Sequence, residues 1–420
     1  MIVLEFKVKG NKTQYAAIDE AIRTGQFVRN KCIRYWMDNK GIGQKDLYRY
    51  NTWLRSEYPF VKDLNSHACQ ASVERAYSSI SRFYDKCKKQ VPGKKGYPKF
   101  KKFSRSVEYK TSGWRLSPDT KSIKFLDKKG VGKLKLKGTW ELWRYDHKLI
   151  KRVRLVRRAD GYYVQFCVKV DIKESLDPSH TNVGLDVGLK EFYTDSKGNT
   201  EPNPRFYRKG EKRLKFYQRR VSRKKKGKAV GHASRTANRK RAINRLGRTH
   251  LKISRQREEH AKRLARCVIH SNDVVAYVRE ACRRQDLRVK NLVKNHCLAK
   301  SINDAGWYQF RRWLEYFGQK FTRQTVAVNP AYTSQNCSNC GEVVKKSLST
   351  RTHACSCGCV LDSPKATLRE RDHNAAINIL KRALGTVGHT GTWIIDPNAL
   401  GDPTSTLPDS GLEEPRWVVD

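Results

Sequence analysis

The stretch Asn182-Val183-Gly184-Leu185-Asp186-Val187-Gly188-Leu189-Lys190 decides how the rest of the sequence is interpreted. Its apolar residues predict a buried strand that carries one carboxylate, Asp186, to an edge flanked by glycines. An Asp-x-Gly sequence is also common in turns, and this pattern alone favours a turn over a catalytic carboxylate. A metal site at Asp186 therefore requires acidic partners from elsewhere in the chain.

The global charge points to a polyanionic partner. The chain has 420 residues, enough for two or three domains, and a formal net charge of +48. Such an excess repels itself unless a polyanion neutralises it, and a long nucleic acid is the natural candidate. No apolar run approaches bilayer-spanning length and no N-terminal signal is visible, so we expect no membrane partner and a cytoplasmic, nucleoid-associated location.

Residues 1–180 show the pattern of a small β-barrel with a helical insertion. Met1–Lys9 and Val131–Lys137 alternate apolar and polar residues, and Asp160-Gly161 between two β-rich runs predicts a hairpin. We expect the N-terminal strand to join this sheet, with two helices inserted after it. The first helix has Thr13 as its predicted cap, is interrupted by Gly25, and has these apolar positions: Ile18, Ala21, Ile22, Val28, Cys32, Ile33 and Trp36. The second presents Val73, Ala76, Tyr77, Ile80, Phe83 and Tyr84 on one face.

Two basic segments are candidate nucleic-acid contacts. Residues 93–103 interleave basic and aromatic side chains. This pattern fits a surface on which phosphate contacts alternate with stacking on bases. It fits equally well a solvated loop whose aromatic rings are buried in the core. The block from Arg213 to Arg257 has no acidic residue to balance its charge, and it predicts a helical hairpin lying along a nucleic-acid backbone. The predicted contact residues are Lys94, Lys95, Tyr97, Lys99, Lys101, Arg219, Arg220, Arg223, Lys224 and Lys225.

Strands alternate with helices after residue 180. Val274–Tyr277 and Thr325–Val328 are short apolar runs of strand type, and Ala305–Phe321 predicts an amphipathic helix between them. This alternation indicates an α/β fold with central strands and covering helices.

The 12 cysteines are of two kinds. Seven are scattered singly, as the thiols of a reducing compartment are, and five cluster between residues 337 and 359. Thiolates paired so closely, twice, can surround one Zn²⁺ tetrahedrally, which predicts a structural zinc ribbon. The predicted ligands are Cys337, Cys340, Cys355 and Cys357, with Cys359 as a substitute in the tightly spaced second pair.

A second carboxylate follows the cysteines. Arg371-Asp372-His373-Asn374-Ala375-Ala376 predicts the start of a helix whose small alanines let it lie close to the sheet. Asp372 alone could be an N-cap. Together with Asp186 it could hold a divalent cation.

Taken in order, these motifs resemble the TnpB family of transposon-encoded RNA-guided DNA endonucleases, which are relatives of the type V CRISPR effectors. The resemblance covers residues 1 to about 385 and rests on Gly184-Leu185-Asp186-Val187-Gly188-Leu189, Asp286-Leu287-Arg288-Val289-Lys290-Asn291-Leu292, Asn329-Pro330-Ala331-Tyr332-Thr333-Ser334-Gln335, the cysteine pairs and Asp372-x-Asn374-Ala375-Ala376. It implies an α/β plus β-barrel fold: an N-terminal wedge-like β-barrel with a helical insertion, then a split RuvC-like nuclease domain of RNase H type with an inserted zinc ribbon.

The expected domains follow from the resemblance and the sequence patterns. Residues 1–180 form the barrel, with a helical recognition insert at about 11–90 that reads a short motif flanking the target. Residues 181–336 form the first part of the nuclease with the basic hairpin, 337–360 the zinc ribbon and 361–384 the closing nuclease segment. Residues 385–420 are rich in Gly, Pro, Thr and Asp, and we expect a disordered tail.

The resemblance assigns the first catalytic carboxylate to Asp186 and the third to Asp372. Where the family has a glutamate directly before Asp-Leu, this chain has Gln285. Hydrolysis by two Mg²⁺ ions ~4 Å apart needs anionic ligands, and an amide holds a hard cation poorly. Glu280 is the predicted replacement, because on an extended strand it faces the same side as the missing glutamate, and Glu370 is a second candidate.

The predicted function is an RNA-guided DNA endonuclease that binds a guide RNA and cuts double-stranded target DNA. The alternative is a nuclease-inactive, RNA-guided DNA-binding protein, which Gln285 keeps open. A DNA-strand transposase is disfavoured, because no tyrosine or serine nucleophile with supporting histidines is evident.

Overall fold

The computed structural model describes residues 1–91, 93–128, 130–171, 173–224, 237–278, 298–345, 352–358 and 370–389. These residues form two compact units, and the second begins at Lys173. Among the described helices, none combines the length and the apolar character needed to cross a bilayer. The domain limits expected from the sequence stay predictions.

The first unit is built on a seven-stranded antiparallel sheet of order β2-β6-β7-β1-β5-β4-β3. The strands are β1 Ile2–Lys9, β2 Ser106–Lys110, β3 Trp114–Leu116, β4 Ser122–Phe125, β5 Lys133–Lys137, β6 Ile150–Arg158 and β7 Gly161–Val168. The N-terminal strand lies in the middle and pairs with β5 and β7, which confirms that it joins the later strands. The predicted hairpin is confirmed between β6 and β7, whose last pair is Arg158 with Gly161.

The connection between the two edge strands requires this sheet to curl. A flat seven-stranded sheet would separate β2 from β3 by about 29 Å, at roughly 4.8 Å per strand. Only the short 3-10 turn Thr111–Gly113 joins them, and four Cα steps reach at most about 14 Å. The edges must therefore approach each other. No β2–β3 pairing is among the described strand pairs, so a closed barrel stays a prediction.

Four helices follow β1 and precede β2: α1 Lys12–Asp38, α2 Gln44–Glu57, α3 Pro59–Asp63 and α4 Ser66–Lys88. All seven apolar positions predicted for the first helix are buried. The predicted cap at Thr13 is wrong, because Asn11 accepts a hydrogen bond from the Gln14 backbone N–H at 2.8 Å while the Gln14 side chain accepts from the Asn11 N–H at 3.0 Å. Gly25 does not interrupt α1; a Cβ there would lie 3.1 Å from Ser72 Oγ, so glycine permits the close contact with α4.

The second unit contains a five-stranded sheet of order β10-β9-β8-β11-β12, in which β8, β11 and β12 are parallel. The strands are β8 Asn182–Val187, β9 Glu191–Asp195, β10 Thr200–Pro202, β11 Val274–Val278 and β12 Gln324–Val328. The helices are α5 Phe206–Ser222, α6 Ala237–His270, α7 Ala299–Ala305, α8 Trp307–Lys320 and α9 Glu370–His389. The predicted α/β arrangement is confirmed.

Helices cover both faces of this sheet. Val183 and Leu185 pack in one buried cluster with residues of α6 and α8, whereas Ala276 and Val278 pack in another with residues of α9. The helix predicted from Ala305 begins two residues later, since Gly306 adopts a left-handed conformation with φ 67° between α7 and α8.

The last helix is longer than the sequence indicates. Helix α9 continues to His389, so residues 385–389, which the sequence placed in a disordered tail, are helical. Residues 390–420, the rest of the expected tail, lie outside the described residues.

Candidate functional site

Asp186 lies at the carboxyl end of β8, beside the parallel strand β11. The last described pair of these strands is Leu185 with Tyr277, which places Asp186 next to Val278. Side chains alternate along a strand, so Gly184 and Asp186 lie on the face opposite Val183 and Leu185. This is the face that α9 covers, and the carboxyl edge of parallel strands is where α/β sheets commonly bind ligands.

Gly184 allows α9 to approach the sheet. A Cβ on Gly184 would lie 2.2 Å from the backbone oxygen of Ala376 and 2.8 Å from the backbone nitrogen of Leu380, so any side chain is excluded there. Ala375 and Ala376 are both buried. This agrees with the prediction that small residues let the helix lie close to the sheet. The close approach brings the first turn of α9, with Asp372, to the end of β8.

Asp186 and Asp372 interact electrostatically. Burial raises the pKa of Asp186, the carboxylate of Asp372 raises it further, and Arg371 opposes both, which leaves the pKa at about 7. The Nε and Nη2 atoms of Arg371 each lie 3.1 Å from Asp372 Oδ1. A divalent cation between these two carboxyl groups would relieve the repulsion that Asp372 exerts on the charged form of Asp186.

The other predicted catalytic positions cannot be placed against this pair. Glu280 and Gln285 lie outside the described residues, as do Asp286 and Cys359, and the side chain of Glu370 is not described either. The assignment of the remaining carboxylate to Glu280, with Glu370 as second candidate, stays a prediction.

The four predicted zinc ligands come together. The ligand atoms of Cys337, Cys340, Cys355 and Cys357 all lie within 4.8 Å of one another. The Sγ atoms of Cys337 and Cys357 are 3.8 Å apart, and those of Cys340 and Cys355 are 3.5 Å apart. Four sulfurs at ~2.3 Å from a tetrahedral Zn²⁺ would lie about 3.8 Å apart, so the observed spacing fits zinc. We call these four residues the four-cysteine site.

Cys337 is prepared for ionisation. Burial opposes its thiolate, but the backbone N–H of Cys340, the side chain of His353 and the backbone N–H of Asn339 outweigh burial and lower its pKa to about 5. A metal-binding thiol must be deprotonated, so these contacts favour the ligand form. By contrast, burial raises the pKa of Cys32, one of the scattered cysteines, to about 12, as expected for an inert thiol.

The basic block forms the predicted helical hairpin of α5 and α6. An open cleft of about 490 Å³ on α5 is lined by Lys215, Gln218, Arg219, Ser222 and Arg223. Arg219, Arg220 and Arg223 are exposed, Lys224 is half-buried, and Lys225 lies outside the described residues. Arg220 also lies over the half-exposed ring of Phe216 at 5.5 Å. This surface presents guanidinium groups beside an aromatic ring, a combination that many proteins use to bind single-stranded nucleic acid.

Asp304 fixes the hairpin in place. Its buried carboxylate accepts hydrogen bonds from the backbone N–H groups of Tyr207 and Arg208 at the start of α5, at 2.8 and 3.3 Å. It also pairs with Arg257 of α6 at 3.0 Å. Nothing in the sequence around Asp304 predicts this role, because its partners are distant in the chain.

The basic and aromatic loop at residues 93–103 is attached to α1 through its backbone. Asn30 and Gln26 bond the backbone of Lys101, Lys102 and Ser104 at distances from 2.5 to 3.0 Å. Lys94, Lys99 and Lys101 are exposed, and Lys95 is half-buried.

The aromatic residues of this loop are placed differently from one another. The ring of Tyr97, 50% exposed, packs at 5.5 Å from that of Trp36 and 5.2 Å from that of Phe83, so one side of it faces protein. The ring of Phe103 is 81% exposed. The sequence pattern does not distinguish Phe103 from the other aromatic residues of the loop. Of the two interpretations, solvated loop or stacking surface, the exposure of Phe103 favours the second.

Comparisons with known proteins agree with this geometry. A family model described as "Probable transposase" (OrfB_IS605) matches residues 165–295, and one described as "Cas12f1-like, TNB domain" matches residues 307–379. The chain is 36% identical over 204 residues to a "Putative RNA-guided DNA endonuclease" of Streptomyces pristinaespiralis, a match that covers 48% of this chain and only 45% of that protein. It is 26% identical to "Putative RNA-guided DNA endonuclease InsQ" of Escherichia coli (strain K12), over 76% of this chain and 78% of that protein.

The fold has a solved counterpart. The cryo-EM structure of a Cas12f1–sgRNA–target DNA complex aligns with a TM-score of 0.51 and 13% sequence identity, over 88% of this chain and 83% of that chain. At this identity the likeness concerns the fold alone. The sequence matches and the fold agree with the resemblance drawn from the motifs: the chain is similar in sequence to RNA-guided DNA endonucleases and TnpB-like proteins, and its fold is similar to that of the Cas12f1 chain.

Proposed function

We propose that this protein is an RNA-guided DNA endonuclease that hydrolyses phosphodiester bonds of target DNA at Asp186 and Asp372. The observation that carries the proposal is the electrostatic interaction of Asp372 with Asp186 at the carboxyl end of β8, in a chain similar to proteins named as RNA-guided DNA endonucleases. The two residues are far apart in sequence, and folding has brought them within electrostatic reach.

The fold holds the two carboxylates, Asp186 and Asp372, in fixed positions. Asp186 is held by the β8 backbone, and Asp372 by the first turn of α9, which Gly184 lets close on the sheet. These carboxylates would hold Mg²⁺, which when bound supplies activation of the attacking water and stabilisation of the leaving oxygen. Arg371, which contacts Asp372, is close enough to balance negative charge at the site.

We assign the remaining carboxylate to Glu280. The described part of β11 supports this choice, because Ala276 and Val278 lie on the face covered by α9, as do Gly184 and Asp186 of β8. Side chains alternate between the two faces of a strand, so an extended chain from Val278 to residue 280 would place Glu280 on this same face. Two carboxylates alone are few for two divalent cations, so a further anionic ligand is needed.

The basic surfaces would bind the nucleic acids. The guide RNA would recognise the target sequence by base pairing with the target strand, and the protein would bind the sugar-phosphate backbone. The α5 cleft with Arg219 and Arg223, and the loop with Lys99 and Lys101, offer exposed cations for that purpose. The four-cysteine site would hold a structural Zn²⁺.

The test uses purified protein loaded with RNA that copurifies with it, supplied with Mg²⁺ and a plasmid carrying the matching target. We expect nicked or linear plasmid from the wild type, and loss of cleavage in Glu280→Ala with target binding retained. Cleavage that survives Glu280→Ala would overturn the Glu280 assignment.

The competing function is a guided DNA-binding protein that does not cut, favoured by Gln285 in place of the family glutamate. It would be established if the loaded wild type binds target but leaves it intact at every Mg²⁺ concentration. Gain of cleavage in Gln285→Glu would then identify Gln285 as the cause.

A further inference from the structure

Helix α9 has two different faces. Ala375, Ala376, Ile379 and Ala383 are buried toward the sheet. A second stripe at spacing i, i+4, i+7 and i+8 consists of polar side chains that reach away from the sheet, namely Asn374, Asn378, Lys381 and Arg382. The small and apolar positions account for the packing of α9 on the sheet. They do not explain why polar side chains line the other face.

The polar stripe binds the segment that leads into the first zinc knuckle. Asn374 Oδ1 accepts from the backbone N–H of Ser338 at 2.8 Å, and Asn374 Nδ2 donates to the backbone oxygen of Asn336 at 2.8 Å. Asn378 Nδ2 donates to the backbone oxygens of Asn336 and Thr333 at 2.7 and 2.9 Å. Lys381 contacts the Ser338 oxygen, and Arg382 donates to the Asn329 and Ala331 oxygens at 3.0 and 2.6 Å. We call these contacts of the four side chains the clasp.

Burial makes the two asparagine contacts strong constraints. Asn374 is fully buried and Asn378 is 9% exposed, so neither amide can exchange its partners for bulk water. Ser338 directly follows Cys337, the buried ligand of the four-cysteine site. The backbone on either side of that cysteine is therefore bonded to one and the same side chain, Asn374.

The same turn of α9 carries the nuclease carboxylate. Asp372 precedes Asn374 by two residues. The intervening His373 places Nε2 3.2 Å from the backbone oxygen of Ser196 in the turn between β9 and β10. The N-terminal turn of α9 is thus attached to the zinc knuckle on one side and to the sheet on the other, with Asp372 between.

We infer that Asn374 is a positioning residue that couples the four-cysteine site to Asp372, so that zinc held by the cysteines sets the geometry of the divalent-cation site. This inference rests on the proposed function for the identity of that site. Because coupling between two binding sites is reciprocal, loss of zinc should weaken cation binding at Asp186 and Asp372, and loosening the clasp should weaken both.

The experiment uses full-length, zinc-loaded protein without nucleic acid and has two readouts that need no cleavage. One is the rate at which a zinc-selective chromophoric chelator takes up zinc. The other is Mn²⁺ binding, followed by electron paramagnetic resonance. We expect Asn374→Ala to release zinc about ten-fold faster and to bind Mn²⁺ several-fold more weakly, since it deletes two buried hydrogen bonds.

Further variants separate coupling from general damage. Asn374→Asp keeps an acceptor for the Ser338 N–H but places a buried carboxylate oxygen against the Asn336 oxygen, so we expect zinc release at least as fast as in Asn374→Ala. Leu384→Ala changes an exposed residue of the same helix and should leave both unchanged. Asn378→Ala removes the bonds to Thr333 and Asn336 without touching the turn that carries Asp372, and it serves if Asn374→Ala does not fold.

The outcomes distinguish this inference from the proposed function. Faster zinc release with unchanged Mn²⁺ binding would show that the clasp only tethers the ribbon, and would overturn the coupling, as would absence of Mn²⁺ binding in the wild type. Linked changes in a protein that never cuts DNA would support the coupling while contradicting the endonuclease proposal.

Discussion

Glu108 shows how this highly basic chain places its few acids. It is 3% exposed in β2 and pairs with three guanidinium groups: Arg152 at 2.7 Å, Arg154 at 2.5 Å and Arg75 at 3.4 Å. Burial would raise the pKa of Glu108, but the charges of Arg75 and Arg154 and the hydrogen bonds from Arg152 and Arg154 lower it to about 2. The carboxylate thus neutralises arginines that would otherwise repel one another.

The depressed pKa predicts an acid-sensitive contribution to stability. The folded pKa lies below the ordinary 4.5, so the stabilisation is complete above about pH 4.5 and is lost as pH falls toward 2. Between pH 5 and 2.5 the free energy of unfolding of the wild type should fall by about 2 to 3 kcal/mol more than that of Glu108→Gln. Urea denaturation at both pH values measures this.

A matched control separates this effect from general acid titration. Glu20→Gln removes a carboxylate from an exposed pair with Arg23 and should change stability by less than about 1 kcal/mol at neutral pH. Glu108→Gln should cost about 3 kcal/mol or more there. Equal acid sensitivity in wild type and Glu108→Gln would contradict the assignment.

At the residue scale, sequence patterns identified side chains with local context. Asp186 follows a buried strand, Asp372 begins a helix, and the cysteines recur in pairs, so each has a signal within a few residues. Glu108 and Asp304 have none, because their partners come from distant strands and helices. The polar stripe of α9 did have a local signal, its i, i+4 spacing, but only the fold shows which backbone segment it binds.

At the element scale, the contact between β8 and α9 determines whether the two carboxylates meet. Gly184→Ala would place a methyl group 2.2 Å from a backbone oxygen, which forces the strand and the helix apart. We expect a loss of about 2 kcal/mol or more in the free energy of unfolding of the second unit, together with loss of Mn²⁺ binding. Thermal denaturation and Mn²⁺ titration check this.

A glycine-to-alanine substitution on α9 itself should change the free energy of unfolding in the opposite direction. Gly385 is exposed in the helix, and a methyl group added there would have no neighbour within 4 Å, so Gly385→Ala should stabilise by about 0.5 to 1 kcal/mol. If Gly184→Ala proved neutral or stabilising, the close packing of β8 and α9 would be wrong.

Elements with strong periodicity were predictable, and their limits were less so. The buried positions of α1 followed from 3.6-residue spacing, yet its cap was Asn11, because the reciprocal bond with Gln14 fixes the start. The predicted start of α8 was wrong because Gly306 takes a left-handed conformation, which the apolar pattern does not reveal. The curl of the first sheet depends on strand order, and strand order is a long-range property.

At the scale of the whole molecule, the net charge of +48 predicts that binding of the proposed nucleic-acid partners depends strongly on salt. Phosphate contacts release counterions, so affinity for a nucleic acid falls with salt in proportion to the number of contacts. Residues 206–224 contain nine basic residues and one acid, Glu211, which is paired with Lys215 and Lys300.

The salt dependence of nucleic-acid binding can therefore test whether the α5 cleft contacts phosphates. The double substitution Arg219→Ala, Arg223→Ala should reduce the slope of log K against log salt by about 0.7 to 0.9 for each phosphate that the cleft no longer neutralises. Fluorescence anisotropy with an RNA–DNA heteroduplex at several salt concentrations measures this. Arg34→Ala, in an exposed pair with Asp38 at 2.8 Å, is the control and should leave the slope unchanged. An unchanged slope in the double variant would exclude the cleft from the nucleic-acid interface.

The most direct measurement of the central claim is target cleavage by guide-loaded wild type, Asp186→Asn and Asp372→Asn at saturating Mg²⁺, with target binding measured on the same samples. Both variants keep the shape of the side chain and remove its charge. We predict that the wild type cuts, that each variant loses cleavage by about a hundred-fold or more, and that all three bind target within a few-fold of one another. Cleavage retained in either variant would contradict the claim that Asp186 and Asp372 together form the nuclease site.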